Sequence, residues 1–330
     1  MAALAGTFLT TAAKGNREEL SDVVSRITPE DTPIYSMAGK ESAKNVFPEW
    51  EIDALAAPAS NAYPEGDEYT YDASTAVTRV GNYTQIMRKT WVVSNTQEAM
   101  DNAGRAEQIK NLRLKRGIEI KKDTELAIVT NTASVATGTR LMGGLPSWLT
   151  TNVSRGAGGA DGGYNTGTKL TVAETTGTQR AFTKALLDTT MQDCYNAGAN
   201  VKSLVVSPYV KSVFVTFMSD TNVAAFRHSV DGSSKQTIVA TADIYEGPFG
   251  KVTVVPNRVM ATSAAVARRA YLLDPDMLSI KVLRKIQDDK TIASTGDATK
   301  GVIIGEHTLA VKNEAGLGAV ADIFGLTAST

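Results

Sequence analysis

The sequence predicts an α+β protein that extends a long arm, and three observations point to it. Helical spacing and β-branched runs are both present, but without the strand–helix alternation of a doubly wound parallel sheet. Between two strand-like runs lies a segment, 54–78, rich in Ala, Pro, Ser, Asn and acid, with little to bury. After it comes a stretch of strong helix formers, within a region free of proline between Pro64 and Pro146.

The first element is a short amphipathic helix in "GNREELSDVVSRITPEDTP". Leu20, Val23, Val24 and Ile27 fall at i, i+3, i+4 and i+7 and form one apolar stripe. Asn16 suits the cap, Glu18 and Glu19 suit the first-turn dipole, and Pro29 and Pro33 stop the helix. Too little surrounds it to make a domain, so it docks either on its own core or, as an N-terminal arm, on another subunit.

Two strands follow, Asn45–Asp53 and Arg79–Ser94. In the first, Trp50 and Ile52 alternate against Glu49, Glu51 and Asp53; the second is rich in β-branched and aromatic residues. Pairing them makes 54–78 their connection, far beyond the ~2–5 residues usual in a hairpin. A lone two-stranded ribbon is marginal in water, so this projecting arm needs a surface outside itself.

Charge is also lopsided. Residues 45–78 hold seven acids and no Lys or Arg, whereas 79–122 hold ten bases against four acids. Adjoining segments of opposite sign suggest contact with a partner, or with each other across copies.

Residues 95–131 predict one long helix, reaching roughly 50 Å at ~1.5 Å per residue. Its apolar residues, including Ile109, Leu112, Ile118 and Leu126, are spread around the cylinder, which predicts packing on more than one side. Its bases, Arg105, Lys110, Arg113, Lys115, Arg116, Lys121 and Lys122, suit an acidic arm or a phosphate surface.

Beyond it the glycine-dense run 156–167 reads as a mobile loop. A helix follows over 178–197, with Gly198 as its stop. "NVKSLVVSP" is a buried strand entering a helix at Pro208. "DIYEGPFGKVTVVPN", "RRAYLLDPDMLSIKVLR" and "GVIIGEHTLAVKNEAGLGAVADI" supply the remaining strands.

The totals exclude several classes. With 330 residues, 42% of them hydrophobic, the chain can bury a substantial core. A net charge of −1 makes it no bulk polycation, so any nucleic-acid contact is local. The single cysteine, Cys194, forbids an intrachain disulfide and fits a reducing compartment. No signal peptide is read at the N-terminus, and no apolar run reaches the ~18 residues of a membrane span. "GGYNTGTK" has Thr168 and Lys169 in the wrong order for a phosphate loop. His228 and His307 lie far apart without metal-ligand spacing, and "DPD" at 274–276 lacks the other ligand positions of a calcium loop. No catalytic residue, cofactor site or metal site is predicted.

The segments "GNREELSDVVSRITPEDTPIYSMAGK", "TRVGNYTQIMRKTWVVSNTQEAMDNAGRAEQI" and "GEHTLAVKNEAGLGAVADI" look like recurrent segments of one protein family. Together with the element order, the chain resembles the major capsid proteins of tailed double-stranded-DNA bacteriophages, in the SU-ten-like branch of the Hong Kong 97-type fold. The resemblance covers 14–131 and 300–325; elsewhere it is in element order only. It implies an N-terminal arm (1–44), an extended loop (45–94) and a peripheral domain (95–177) with a spine helix (95–131). An axial domain (178–270) and a return to the peripheral domain (271–330) complete it.

The resemblance also implies that the arm lies across a neighbouring subunit and that pentamers and hexamers close an icosahedral shell around the genome. The expected inter-subunit contacts are Trp50, Glu65, Asp67, Glu68 and Asp72, and, from the helix, Arg105, Lys110, Arg113, Lys115 and Arg116. Expected partners are further copies, separate scaffolding, portal and decoration proteins, and packaged DNA held without sequence preference. The expected location is the virion, assembled in the host bacterial cytoplasm, with no membrane contact. Some members of the fold cross-link through a lysine in the extended loop; residues 45–78 contain none. The rival readings are an encapsulin-like compartment shell, a phage tail structural protein and a hydrolase with a cryptic site.

Overall fold

The computed structural model describes residues 28, 30–69, 71–74, 76–100, 107–216, 243–289, 291–293 and 296–327. The expected N-terminal helix, Arg105 and His228 lie outside the described residues.

The chain enters through α1 (Pro33–Met37), β1 (Gly39–Ser42) and a ribbon of β2 (Glu49–Ile52) and β3 (Thr78–Gly81). Next come β4 (Gln85–Ser94), α2 (Asn95–Ala99) and α3 (Gln108–Val129). Short strands β5 (Val153–Ser154), β6 (Gly163–Asn165) and β7 (Leu170–Val172) lead to α4 (Lys184–Asn196), β8 (Ser203–Val206) and α5 (Pro208–Thr216). The hairpin β9 (Ile244–Gly247) and β10 (Gly250–Pro256) precedes α6 (Ala264–Ala267) and β11 (Ala270–Leu273). Two long strands, β12 (Leu278–Asp288) and β13 (Ala298–Val311), and a short β14 (Gly318–Val320) close the chain.

Two larger sheets organise these elements. One has four strands in the order β1-β12-β13-β4; the other has six, β5-β14-β11-β8-β10-β9. The six-stranded sheet is covered on both faces. Leu204, Val206, Ala270 and Leu272 point into a core shared with Leu187 and Met191 of α4 and Phe214 of α5. Val205, Tyr271 and Leu273 alternate to the other side, joining Ile120 and Ile128 of α3 and Leu309 of β13. That double burial explains why "SLVV" and "AYLL" are buried at every residue and lack polar–apolar alternation.

Three expectations are corrected. The strand 79–94 is two strands in different sheets: β3 pairs with β2, and β4 pairs with β13. The break falls at Asn82, whose buried amide donates to the carbonyls of Gly143 (3.2 Å) and Leu309 (2.8 Å) and accepts from the Gly143 N–H (2.9 Å). A side chain that satisfies backbone groups of two other segments holds the ladder apart there.

The helix 95–131 is also interrupted. Ser94 caps α2 by accepting from the Gln97 N–H, but Met100 is extended, and Glu107 is extended again before α3 starts. At 22 residues, α3 spans about 33 Å. It does pack on more than one side: Ile120, Thr124 and Ile128 form one buried line, with Glu125 and Val129 beside it. Finally, the glycine-dense run is no featureless loop. It leads into the β6–β7 hairpin, and Gly156 approaches Thr178 so closely that a Cβ would sit 2.0 Å from its carbonyl oxygen.

Asn82→Ala would orphan buried backbone groups at about 1–3 kcal/mol each. We expect a loss of about 2–4 kcal/mol, read as a lowered midpoint in denaturant unfolding of the subunit.

Candidate assembly surface

The base of the arm is an aromatic stack. Trp50 of β2 lies 5.6 Å from Trp148, which lies 5.5 Å from Tyr164 of β6 with the rings nearly parallel. The Trp50 indole N–H donates to the carbonyl of Val311, the last residue of β13, at 2.9 Å. The Lys281 ammonium sits 5.2 Å over the same indole. A second pair, Phe47 and Tyr83, packs at 4.4 Å beside the ribbon. Trp50, nominated as an inter-subunit contact, is thus held inside its own chain; "EWEI" showed its alternation but not its partners.

Beyond Ile52 the described residues of the arm have no strand or helix until Thr78. Leu55 is 99% exposed, Tyr69 89% and Tyr71 97%. Large apolar side chains so placed cover nothing in their own chain.

The charges separate into partnered and unpartnered. Arg79 lies near Glu49 (4.0 Å) and Glu51 (3.8 Å), and Lys169 reaches Glu49 at 3.3 Å. Glu65, Asp67, Glu68 and Asp72 are exposed, and among the described residues no base lies within ion-pair distance of them. On α3 the nominated bases are mostly engaged at home. Lys110 pairs with Glu107 (2.6 Å), Arg116 with Glu119 (2.6 Å) and Arg113 with Asp288 (3.2 Å). Arg113 also stands 5.6 Å over the Trp91 ring. Lys115 is exposed.

Two buried junctions hold the frame behind the arm, and sequence reading missed both. Glu125 of α3 accepts from the N–H groups of Ile34 (3.0 Å) and Tyr35 (2.7 Å) and from the Asn257 amide (2.6 Å), so it joins α1 to α3 and to the segment after β10. Burial raises its pKa above the ordinary carboxylate range, against the lowering by those hydrogen bonds. Beside it, Thr124 bonds His307 of β13 at 2.9 Å, and burial pushes this imidazole down to about 4, against the nearby Glu306 charge. Burial also acts to raise Glu306, but hydrogen bonds from Thr84 and Arg284 and the charges of Arg284 and Arg140 outweigh it and hold the carboxyl low. A carboxylate in mid-helix among apolar neighbours was the available signal for Glu125; His307 gave none.

Among the described residues, no cluster of His, Cys, Asp and Glu could hold a metal, and no helix is long and apolar enough to cross a membrane.

The family model described as SU10 major capsid protein matches residues 7–324. A major capsid protein of Escherichia phage Phieco32 is 26% identical over 291 residues, covering 78% of this chain and 82% of that one. A structure described as the capsid asymmetric unit of Cyanophage A-1(L) superposes with a TM-score of 0.63 at 11% identity, covering 96% of this chain and 98% of that one. One from Mycobacterium phage Adephagia gives 0.61 at 13% identity, with the same coverages. At such identities the structural likeness shows the fold.

The His307 site has a pH signature. Its folded pKa lies below the unfolded value, so the stability it contributes is present above ~6.5 and is lost as pH falls toward about 4. Glu125 has the opposite sign: its raised pKa favours the folded state at acid pH, and that contribution fades as pH rises. His307→Gln should therefore flatten the decline in melting temperature between about pH 6.5 and 4, and Glu125→Gln should leave that decline steeper. Calorimetry of the subunit across this range checks both.

Proposed function

Because the chain belongs to the SU10 major capsid protein family, and is a phage major capsid protein of Hong Kong 97-type fold, we propose that it builds the head by self-association. Pentamers and hexamers close into an icosahedral shell around a double-stranded genome, with the arm of each copy laid across its neighbour. The observation that carries this reading is the arm itself: an aromatic, acidic segment anchored at its base and uncovered beyond it.

The subunit acts structurally and carries no catalysis. Its organisation is an N-terminal arm over 1–44, an extended loop over 45–94, a peripheral domain over 95–177 and 271–330, and an axial domain over 178–270. The six-stranded sheet crosses that division, taking β5, β14 and all of β11 but its first residue from outside the axial range. Acids at the arm tip meet bases of the neighbouring copy. On α3, Lys115 is the exposed nominated base; Lys110, Arg113 and Arg116 would exchange or share the partners they already have. Separate scaffolding, portal and decoration proteins complete the particle, which assembles in the bacterial cytoplasm and becomes part of the virion.

Deleting Ala56–Ala76 should leave a subunit with unchanged circular dichroism and melting temperature that forms no closed particles by electron microscopy. A deletion that unfolds the subunit would instead make the arm part of its own core.

A chain with net charge −1 brings few uncompensated Lys and Arg to phosphates and so displaces few of the duplex's counterions. Isolated subunits should bind duplex DNA weakly and without sequence preference, and what binding there is at low salt should be lost at physiological salt. A gel shift showing tight sequence-specific binding at physiological salt would contradict this.

A further inference from the structure

Three charged side chains lie together in the interior. Those of Arg155, Glu174 and Arg269 are 7%, 3% and 4% exposed. One Glu174 oxygen accepts from Arg155 and the other from Arg269, while Arg155 also donates to Asp161 at the rim. The chain passes between the proposed peripheral and axial parts at 177/178 and again at 270/271, and Glu174 and Arg269 stand just before those crossings. The Glu174 backbone is fixed to the end of α3: the Asn131 amide, just beyond the helix cap, accepts from its N–H (3.0 Å) and donates to its carbonyl (2.8 Å). Its carboxylate holds Arg269, which also donates to the Ala265 carbonyl of α6. The Tyr271 hydroxyl of β11 donates to the Val129 carbonyl of α3 at 3.3 Å, beside the same helix end. At the first crossing backbone presses on backbone, since a Cβ on Gly177 would lie 2.4 Å from the Gly156 carbonyl oxygen. Asp322 closes the junction: its carboxylate accepts from the Gly156 N–H (3.0 Å) and its carbonyl from the Arg180 N–H (2.8 Å). Its φ of +57° is a conformation that persists only where the surroundings hold it.

We propose that the Arg155–Glu174–Arg269 cluster is a registry lock that sets the angle between the axial part and α3. The inference rests on the division into peripheral and axial parts proposed above, and not on closure of a shell. Stability alone does not account for the cluster. Burying ions costs about as much as pairing them returns, and apolar side chains of similar volume do as well or better. Here Arg155 Nη2 is buried without a partner among the described residues, so the cluster is not even fully satisfied. What it does supply is direction. Two planar guanidinium forks meet one carboxylate whose backbone is fixed to α3, and few relative positions of the two parts satisfy both forks at once. The six-stranded sheet already joins the parts through the pairing of β11 with β8, but four residue pairs leave its twist free to vary. The cluster removes that freedom.

The test reads the geometry directly in unassembled, full-length chains. Spin labels are attached through Lys121→Cys on α3 and Lys251→Cys on β10, both exposed positions, in a background in which the buried Cys194 is removed by Cys194→Ala. With the cluster intact, pulsed electron spin resonance should give one narrow distance distribution. Glu174→Gln alone leaves two buried guanidinium groups uncompensated and should lower the melting temperature by on the order of 10 °C. Replacing all three, with Arg155→Met, Glu174→Leu and Arg269→Met, should recover that loss yet widen the distribution by roughly twofold or more. A triple variant whose distribution stays as narrow as that of the intact cluster would overturn the lock. So would a broad distribution with the cluster intact. If the triple variant does not fold, Arg155→Lys with Arg269→Lys decides by the same measurement, since it keeps the charges and loses the forks. A widened distribution there upholds the lock, and an unchanged one overturns it. Because the labels are read before assembly, failure of the lock leaves the shell reading in place, and chains that never close into particles would remove the shell reading without touching the lock.

Discussion

An arm without a core can be directed only from its base, and here that direction depends on Trp50. A ribbon of two four-residue strands is too small to hold itself in water. The indole gives it three attachments at once: a ring stack on Trp148, a hydrogen bond to Val311 and the Lys281 cation above it. Val311 ends β13, which is bonded along its length to β12 and β4. The orientation of the ribbon is therefore tied to a central strand of the sheet. Trp148 and Tyr164 extend the same support, so a single residue slip in β2 would turn Trp50 out of the stack and re-aim the whole arm.

Behind this base, polar groups are buried where distant segments meet. Asn82 lies where β3 leaves one sheet and β4 joins another, and its three bonds reach two further segments. Glu125 sits where α1, α3 and the segment after β10 converge. Apolar packing would tolerate several relative positions of these elements, whereas a directional bond set admits few. Each group is satisfied mainly by backbone or amide partners that cannot move without moving an element. That arrangement favours one geometry over many, which is what a subunit needs if every copy is to present the same surfaces.

Much of the architecture was legible in local pattern. The arm was visible because 54–78 lacks periodicity, and the later strands because apolar β-branched runs are bounded by Gly, Pro and Asp. Proline at 208 and glycine at 198 marked a helix start and a helix stop that the structure keeps. What was not legible is tertiary. The break at Asn82 depends on Gly143 and Leu309; the turn-favouring pair Gly81-Asn82 in "RVGNYTQIM" signals a break but not its partners. The interruption of the long helix did have a local signal, since Asp101, Asn102 and Gly104 between Met100 and Glu107 are poor helix formers, but the good formers on either side outweighed it. Trp50 was seen as an apolar residue in an acidic strand, a description equally true of a contact residue and of an anchor. Its stack on Trp148, nearly a hundred positions away, could be seen only in the fold.

The division between a firm base and an uncovered tip has a consequence for assembly. A pair of exposed charges contributes only about 0–1 kcal/mol, and an isolated apolar contact on a flexible segment loses part of its gain to ordering. A tip built from such contacts docks weakly and reversibly, so a misplaced copy can leave. The base supplies what weak contacts cannot, a fixed direction, and thereby raises the effective concentration of the tip at its correct seat. In the shell proposed above, each subunit would be held by more than one arm, its own and another's, and the contacts would act together without any of them being strong. On that proposal Trp50 and the acidic tip would do different jobs within one element: the first sets where the arm points, and the second would set how readily it lets go.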